Sequence, residues 1–372
     1  MRCQLLLLQY KVLWGTSNLI EYLFNITLDD YMIVRSKSPL RLGLAGGGSD
    51  VSPYSDIYGG CVLNATIDMY AYCTIETIES NSVEFIAKDL DVTYSAETCS
   101  RFDLSGDLIL HKAVYNRVVE DFNDGQSLNV KVITYSDAPP GSGLGSSSTM
   151  VVSILHAYQR LLNLPLGEYD LAHLAYKIER IDCGFSGGKQ DQYATAFGGF
   201  NFMEFYESDR VIVNPLRIRE SIVNELEANI LLYYTGVSRE SAKIIEDQIK
   251  TASGSDNKPL DAMHEVKKIA VTMKEKLLRS DISSVASIFK QSWEAKKQTS
   301  KSITNPLIDD IYTAAMAAGA KSFKVSGAGG GGFIMIFVEP TARLDVMQAL
   351  SDFQGGFYRF QFTERGTQVW TV

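Results

Sequence analysis

Hydrophobic and polar residues alternate in several segments of the first 135 residues, and this period of two predicts β-strands. Hydrophobic residues then recur with helical spacing at 150–162 and 167–182. A run of strands followed by helices is typical of an α+β domain rather than of alternating βαβ units. The predicted strands are residues 32–37, 60–67, 71–79, 82–88 and 130–135.

The second half of the chain has a similar mixture and starts with a hydrophobic strand at 228–235. A glycine run at 327–332 separates two short strands, which predicts a hairpin with a wide loop. Because 372 residues are too many for one ordinary hydrophobic core, we expect two α+β domains, at 32–210 and 211–372. The predicted helices of the second domain are residues 239–252, 260–279, 281–298 and 306–318.

Residues 1–31 do not fit this pattern. Their leucine run is too short to span a membrane, and no convincing small-residue cleavage site follows it. We expect 1–31 to be an N-terminal extension that is disordered or loosely packed, and we attribute it to a wrongly chosen start codon.

Composition and charge exclude several classes of function. With 45% hydrophobic residues, the chain has the composition of an ordinary soluble globular protein. Its formal charge of −9 argues against nucleic-acid and anionic-membrane partners, because either partner requires a basic surface. The five cysteines include no CxxC pair and no metal-ligand spacing, so we expect reduced thiols in the cytoplasm.

The segment PPGSGLGSSST at 139–149 carries the strongest chemical signal. It lies between a predicted strand and a hydrophobic helix, and its glycines let backbone N–H groups approach a phosphate. The positive end of the following helix attracts anions. We therefore predict a phosphate loop for a nucleotide triphosphate rather than a flexible linker. The predicted nucleotide-binding residues are Pro140, Gly141, Ser142, Gly143, Leu144, Gly145, Ser146, Ser147 and Ser148.

Two better-known phosphate motifs do not match. The sequence contains no GxxxxGK[ST] motif of the Walker type. The run at 327–332 satisfies GxGxxG, but a strand follows it where a dinucleotide fold requires a helix.

Three glycine-rich motifs, in this order, resemble the GHMP superfamily of small-molecule kinases, which includes galactokinase, homoserine kinase and mevalonate kinase. They are SPLRLGLAGGGSD at 38–50, PPGSGLGSSST at 139–149 and KVSGAGGGG at 324–332. The resemblance covers residues 32–372. It implies ATP and Mg²⁺ as cofactors and a two-lobed α+β fold, with a ribosomal-S5-like N-terminal domain and a ferredoxin-like C-terminal domain. The active site is then expected in the cleft between the lobes.

Within the superfamily, AGGGSD, GFSGGKQDQYATAFGGFNFMEF and TGVSRESAKII are most similar to the D-glycero-D-manno-heptose 7-phosphate kinases. This resemblance implies transfer of the γ-phosphate of ATP to the anomeric hydroxyl of the sugar phosphate, giving a 1,7-bisphosphate for nucleotide-heptose synthesis. A fucokinase-like sugar kinase and a non-catalytic sugar-sensing relative are the alternatives. The superfamily also has a branch of ATP-dependent decarboxylases. The sugar-type first motif and the segment GGKQDQ argue against this function for the chain. The oligomeric state, including a homodimer, stays open.

The resemblance also implies roles for individual residues. Asp191 matches the carboxylate that orients the sugar hydroxyl or takes its proton, and Arg41 matches a basic residue beside it. Glu179 and Ser147 match the magnesium ligands, with Ser146 as the alternative serine.

The sugar is expected to bind at the first motif, where Asp50 can accept hydrogen bonds from vicinal hydroxyls and where Gly47 and Gly48 leave room for a long sugar. A substrate that already carries a phosphate needs a second anion site. We predict that Lys189 and Arg239 form it. The third motif, through Gly329 and Gly330, is expected to close over the substrates; a bulky residue at Gly329 should impair activity and leave the fold intact.

Overall fold

The structure, a computed structural model, describes residues 31–237, 241–252 and 258–372. Arg239 and residues 1–30 of the predicted extension therefore lie outside the described residues. No helix within the described ranges is long and apolar enough to cross a membrane. The strands are β1 (Ile33–Ala45), β2 (Gly60–Thr77), β3 (Ser82–Ala87), β4 (Val92–Glu97), β5 (Val130–Ser136), β6 (Phe200–Phe205), β7 (Val211–Pro215), β8 (Ile230–Tyr234), β9 (Ser322–Val325), β10 (Phe333–Phe337), β11 (Gly356–Tyr358) and β12 (Gln368–Thr371).

Helices cover the sheets and are longest in the second half of the chain. Short 3₁₀ turns at Ile282–Ser284, Lys301–Ile303 and Pro340–Ala342 connect several of them. The α-helices are α1 (Tyr54–Tyr58), α2 (Ile109–Phe122), α3 (Ser146–Leu161), α4 (Glu168–Lys177), α5 (Gln190–Phe197), α6 (Glu220–Asn229), α7 (Ser241–Ala252), α8 (Lys258–Leu278), α9 (Val285–Lys297), α10 (Pro306–Ala317) and α11 (Arg343–Ala349).

An eight-stranded sheet forms the first lobe, in the order β12-β1-β2-β5-β3-β4, with β6 paired to β2 and β7 paired to β6. All neighbours are antiparallel except β3 and β5. The two segments predicted as separate strands at 60–67 and 71–79 form one long strand, β2, whose first part pairs with β6 and whose last part pairs with β5. This long strand connects the two halves of the sheet.

A four-stranded antiparallel sheet in the order β11-β8-β10-β9 forms the second lobe. The β9–β10 pairing confirms the predicted hairpin around the glycine run, with Ile334 opposite Val325. The predicted boundary between residues 210 and 211 is wrong for the sheets, because β7 still pairs with β6 and β12 returns to the first sheet beside β1.

A single hydrophobic cluster extends from one lobe into the other. It includes fully buried residues of the first sheet, such as Leu42 and Leu63, and residues of the second lobe, such as Ala270, Met273 and Phe333. Burial of aliphatic and aromatic side chains stabilises such a contact by roughly 25 cal/mol per Å² of apolar surface. The lobes are therefore held together by a shared core, and the loops at one end of it are left to form a cleft.

The sequence pattern did not predict α2, because its buried side is not uniformly hydrophobic. His111, Lys112 and Asn116 are buried alongside its valines. Each of these side chains makes at least one hydrogen bond: His111 Nε2 contacts the Thr134 hydroxyl, Lys112 donates to the Ser105 oxygen, and Asn116 bonds both backbone groups of Phe102. The other ring nitrogen of His111, Nδ1, is buried without a hydrogen-bond partner among the described residues. Buried polar side chains that form such hydrogen bonds hide the helical periodicity on which the prediction relied.

We expect Gly198→Ala to destabilise the first lobe. Gly198 has φ +69°, and a Cβ there would lie 2.1 Å from the backbone nitrogen of Gly366. Displacement of that backbone should lower the free energy of unfolding by about 2–3 kcal/mol. Chemical denaturation followed by circular dichroism measures the change.

Gly125→Ala is the matched control, because Gly125 also has a positive φ, +72°, but a Cβ added there would meet no atom within 4 Å. It isolates the backbone cost of a side chain at positive φ, about 1 kcal/mol. Equal losses for the two variants would show that the Gly198–Gly366 contact contributes nothing.

Candidate active site

The three glycine-rich motifs meet at a cleft of about 650 Å³ between the lobes. The first lobe contributes the segments after β1 and β5 and the segment between α4 and α5. The second lobe contributes α7, α9 and the start of the β9–β10 loop. Loops that are far apart in sequence are therefore brought together at one site.

The phosphate loop has the backbone conformation that its glycines allow. Gly141, Gly143 and Gly145 have φ values of 70°, 83° and 79°. A Cβ on Gly143 would lie 2.5 Å from the carbonyl oxygen of Ser326, and one on Gly145 would lie 3.2 Å from Oδ2 of Asp191. Glycine is required here both for the positive φ and for the close approach of neighbouring groups.

The carbonyl oxygens of the loop are bound by the protein. The Ser142 oxygen accepts a bond from the Phe333 N–H (2.8 Å), and the Gly143 oxygen accepts bonds from Arg41 Nη1 (2.6 Å) and Ser326 Oγ (2.9 Å). The N-terminus of α3, at Ser146, opens onto the cleft. Because a helix N-terminus carries a partial positive charge, this arrangement suits an anionic group.

Not every side chain of the predicted loop faces the cleft. Ser142 and Leu144 are fully buried and do not line it, so they support the loop from beneath. The cleft-lining members are Pro140, Gly141, Gly143, Gly145, Ser146, Ser147 and Ser148.

Asp191 and Arg41 form an ion pair in the cleft, in which Arg41 is buried and Asp191 is partly exposed. Asp191 is the second residue of α5, and its Oδ1 accepts bonds from Nε (2.7 Å) and Nη2 (2.6 Å) of Arg41 on β1. Arg41 is 4% exposed. The guanidinium fixes the carboxylate in one orientation, with Oδ2 next to Gly145 of the phosphate loop.

Glu179 faces the first turn of α3 from a π-helical turn, Ile178–Asp182, that follows α4. Its Oε1 accepts a bond from Ser147 Oγ (2.7 Å), and its Oε2 accepts one from Ser148 Oγ (2.6 Å). Gln192 Nε2 (2.7 Å) and Arg180 Nη1 (3.2 Å) complete its surroundings. Single π turns inside helices are frequent at functional sites; this one lies where the Glu179 carboxylate meets the serines.

The donor set at Glu179 fits a magnesium ion. A carboxylate and a serine hydroxyl are the oxygen ligands that a hard cation prefers, and Mg²⁺ needs only one or two of them from the protein. Ser147 lies against Glu179, whereas the Ser146 hydroxyl points to the carbonyl oxygen of Pro139 (3.4 Å). The geometry favours Ser147 over Ser146, which the sequence alone left open.

Asp50 is held rigidly beneath the first motif. Its Oδ1 accepts bonds from the N–H of Gly48 (3.0 Å) and Nε2 of Gln190 (3.0 Å), and its Oδ2 accepts one from the N–H of Gln190 (3.1 Å). A Cβ on Gly188 would lie 1.9 Å from that Oδ2. Gly47, Gly48, Asp50 and Gln190 all line the cleft. The importance of Gln190 and Gly188 was missed from the sequence, although both belong to the segment GGKQDQ.

The structure places Lys189 away from the cleft, contrary to its predicted role in a phosphate site. Its ammonium group is buried, lies 2.8 Å from Asp209 Oδ1 and 3.4 Å from Asp56 Oδ1, and sits over the ring of Tyr176. Two carboxylates already neutralise this charge. Arg239, the other predicted member of that site, lies outside the described residues.

Gly329 and Gly330 also lie behind the cleft wall rather than in it. The Gly330 N–H donates to the carbonyl oxygen of Ile303 (2.8 Å), and the Gly330 oxygen accepts a bond from Asn305 Nδ2 (2.9 Å). A Cβ on Gly329, where φ is +107°, would lie 2.9 Å from the Ile303 oxygen. This contact indicates that a bulky residue there would strain the backbone, which argues against the predicted intact fold. Gly327 and Ala328 are the residues of this loop that line the cleft.

Three basic side chains that line the cleft were not predicted: Arg180, Lys296 and Lys324. Lys296 Nζ donates to the Gly327 oxygen, and Lys324 Nζ donates to the Gly43 oxygen (2.5 Å). Burial lowers the pKa of Lys296 to about 8, against the opposing effect of Asp50, and it lowers the pKa of Lys324 well below its ordinary value. Lys296 resembles any lysine near the C-terminus of an amphipathic helix, so no local signal marks it.

Comparisons with known proteins define the class of protein to which this chain belongs. The family model for the N-terminal domain of GHMP kinases matches residues 109–199, and the model for the C-terminal domain matches residues 273–354. The structure of Lactococcus lactis galactokinase has the same fold, with a TM-score of 0.69 at 18% identity, and the match covers 94% of this chain and 97% of that one. The two-lobed GHMP kinase fold predicted from the three motifs is confirmed.

Two relatives are much more similar. A Campylobacter jejuni protein described as D-glycero-alpha-D-manno-heptose 7-phosphate kinase is 48% identical over 339 residues, which are 91% of this chain and 99% of that protein. A crystal structure of a Bacteroides thetaiotaomicron protein, described as a D-glycero-D-manno-heptose 1-phosphate kinase, is 47% identical with a TM-score of 0.78, over 91% of this chain and 99% of that one. The chain belongs to the GHMP kinase family, whose members use ATP, and it is a kinase.

We expect Lys296→Met to stabilise the ligand-free protein at pH 7. The pKa of about 8 in the folded protein is below the ordinary 10.5, so the unfolded chain binds more protons between these values and wild-type stability rises with pH. The variant should be more stable by about 3 kcal/mol at pH 7 and by about 1 kcal/mol at pH 10. Urea denaturation at both pH values measures the difference.

Lys297→Met is the control, because Lys297 lies on the same helix but pairs with Glu294 (3.0 Å) outside the cleft. Its stability difference from wild type should not change over the same pH range. A pH-independent difference for Lys296→Met would contradict the buried, charged state of Lys296.

Proposed function

We propose that this chain transfers the γ-phosphoryl group of ATP to the anomeric hydroxyl of D-glycero-D-manno-heptose 7-phosphate, giving the 1,7-bisphosphate. The relative from Campylobacter jejuni supports this substrate, since it is 48% identical over almost its whole length. The main structural support is the position of Asp191, whose carboxylate lies beside the phosphate loop and at the end of the cleft that also holds Asp50. A metabolic role in nucleotide-heptose synthesis and a cytoplasmic location follow from this reaction.

Asp191 is proposed to act on the sugar hydroxyl. Phosphoryl transfer passes through a loose transition state, so positioning and charge stabilisation account for most of the catalysis. The Arg41 pair fixes Oδ1 of Asp191 and leaves Oδ2 on the side of the phosphate loop, where it can orient the acceptor hydroxyl and take its proton. The Arg41 guanidinium also brings positive charge close to the transferring group.

Ser147 and Glu179 would hold Mg²⁺ together with phosphate oxygens and water. When bound, the ion neutralises charge on the phosphate oxygens. The chain itself contributes the N-terminus of α3 and the backbone of the phosphate loop, which would bind the phosphate groups. Arg180, which contacts Glu179 and Ser148, adds a positive charge on this side of the cleft.

Asp50 is proposed to orient the sugar ring. Gln190 and Gly48 hold its carboxylate in place, while Gly47 and Gly48 leave the adjoining wall without side chains. The carboxylate can then accept hydrogen bonds from neighbouring sugar hydroxyls, and the glycine wall leaves room for a seven-carbon sugar.

Fucose is the alternative acceptor. A bifunctional fucokinase from Arabidopsis thaliana is 26% identical over 81% of this chain, but the match covers only 29% of that protein. The lower identity makes fucose the second candidate. The complete set of Arg41, Asp191, Ser147 and Glu179 speaks against a non-catalytic sugar sensor. A homodimer remains a prediction.

We expect wild-type protein with magnesium-ATP to convert D-glycero-D-manno-heptose 7-phosphate into a product with a new anomeric phosphate. Asp191→Asn should lower kcat by about 10²–10⁴-fold, because general-base assistance is lost. Phosphorus NMR of the reaction measures both the product and the rate. Heptose 1-phosphate, fucose and galactose serve as parallel acceptors.

Asp310→Asn removes an exposed carboxylate of α10 and should leave the rate unchanged. Reaction of fucose or galactose in place of the heptose phosphate would contradict the proposed substrate and leave the mechanism standing. A wild-type rate in Asp191→Asn would contradict the proposed base.

We also expect Glu179→Gln to raise the magnesium concentration needed for half-maximal activity by about tenfold or more, because a neutral amide is a weaker ligand for a hard cation. Activity against magnesium concentration at saturating ATP tests this. The control is Glu120→Gln, which removes an exposed carboxylate that pairs with Arg101 (3.2 Å) on the surface. An unchanged magnesium dependence in Glu179→Gln would exclude Glu179 as a ligand.

A further inference from the structure

Two buried lysines of the second lobe form one wall of the cleft. Lys296 lies in the last turn of α9 and is 4% exposed, and Lys324 lies on β9 and is 3% exposed. Both ammonium groups reach the cleft, and each donates to a backbone carbonyl oxygen, of Gly327 and Gly43 respectively. These are the contacts of cations that are held in position but not neutralised.

Within the part of the chain that the structure describes, the close ion pairs of the cleft do not include these two lysines, although four cationic side chains and three carboxylates line it and the third carboxylate, Asp50, acts on Lys296 from a greater distance. Arg41 lies 2.6 Å from Asp191, and Arg180 lies 3.2 Å from Glu179, so each guanidinium has its own carboxylate. Across residues 31–237, 241–252 and 258–372, neither Lys296 nor Lys324 lies within 4.0 Å of a carboxylate oxygen. A buried charge without a counter-ion is costly, so this pair of ammonium groups calls for an anionic ligand.

Both lysines belong to the half of the cleft that adjoins Asp50. Lys296 Nζ lies 4.0 Å from the Cβ position of Gly47, and that position is 3.5 Å from Nε2 of Gln190, which bonds Asp50. Lys324 reaches Gly43, two residues along β1 from Arg41. Ser147 and Glu179 lie on the side of the phosphate loop and α3. The unneutralised charge is therefore on the side of the sugar.

We propose that Lys296 and Lys324 form the binding site for the phosphate group that the sugar substrate already carries. This inference rests on the proposed function and names the group that selects a phosphorylated acceptor. Two ammonium groups attract a phosphate dianion and can donate several charge-assisted hydrogen bonds to it. An unphosphorylated sugar leaves both charges without a counter-ion, so the site discriminates against it. The site takes the place of the one predicted at Lys189 and Arg239.

The burial of these lysines explains how the site discriminates. The pKa of each is lowered by burial, and the neighbouring Arg41 lowers both further, while Asp50 and Asp191 oppose this at Lys296. The cost of desolvating the two ammonium groups is incurred when the protein folds. A phosphate that binds later supplies the missing negative charge, and its binding does not incur that cost again.

The test compares two acceptors, D-glycero-D-manno-heptose 7-phosphate and unphosphorylated D-glycero-D-manno-heptose, with wild type and with Lys296→Met and Lys324→Met. Loss of one charge-assisted contact should raise the KM for the phosphorylated sugar by about tenfold to a hundredfold. The kcat/KM for the unphosphorylated sugar should not fall, and it should rise where removal of an uncompensated charge relieves the discrimination against this acceptor. Lys296→Arg keeps the charge and should retain the preference for the phosphorylated sugar. Lys297→Met is the matched control and should behave as wild type.

An unchanged ratio of the two kcat/KM values would overturn this proposal. If the ratio is unchanged because both acceptors lose activity equally, the lysines act on the transferring phosphoryl group instead. Thermal denaturation checks folding, and the Lys324→Met variant decides the question if Lys296→Met does not fold. Turnover of heptose 7-phosphate by wild type tests the proposed function, whereas the change in the acceptor ratio between wild type and variants tests this site.

Discussion

The guanidinium of Arg41 links the phosphate loop to the carboxylate of Asp191, and the arrangement of the cleft depends on it. One side chain bonds Asp191 Oδ1 through two of its nitrogens and the Gly143 oxygen through the third. It projects from β1, inside the largest sheet, so its own position is fixed by strand pairing. If Arg41 were lost, Asp191 would keep a largely buried charge without a partner, and one of the bonds that hold the phosphate loop in shape would be missing.

The second lobe completes this arrangement rather than adding a separate site. Phe333 and Ser326 bond the carbonyl oxygens of the phosphate loop, and Gly327 packs so closely on Gly143 that neither position has room for a side chain. The hydrophobic cluster that continues through both lobes keeps these contacts in register. The dipoles of the cleft are thus oriented during folding, before any substrate arrives, which is the condition for strong electrostatic stabilisation of a transition state.

How far the sequence predicted the site depended on whether a residue lies in a short local motif. The phosphate loop, Arg41, Asp50, Glu179 and Asp191 were selected because glycine spacing and family resemblance mark each of them locally. Lys189 was misassigned because its burial against Asp56 and Asp209 depends on residues 133 positions before it and 20 positions after it, which no local pattern contains. Lys296 was missed for the same reason, since its helix shows only ordinary amphipathic spacing. The fold class followed from the strand and helix periods, but the return of β12 to the first sheet is a long-range pairing that periodicity does not encode.

That return of β12 has a consequence for how the protein is made. Thr367, directly before β12, bonds Ser38 on β1 (2.7 Å) and His156 on α3 (2.8 Å), and its N–H bonds the Thr195 oxygen of α5 (2.9 Å), the helix that carries Asp191. The strands of the second sheet, β8 to β11, precede this segment in the chain, so the ribosome synthesises them before it. The first lobe therefore cannot complete its sheet until the second lobe has been synthesised, and a nascent chain has no finished active site before that point.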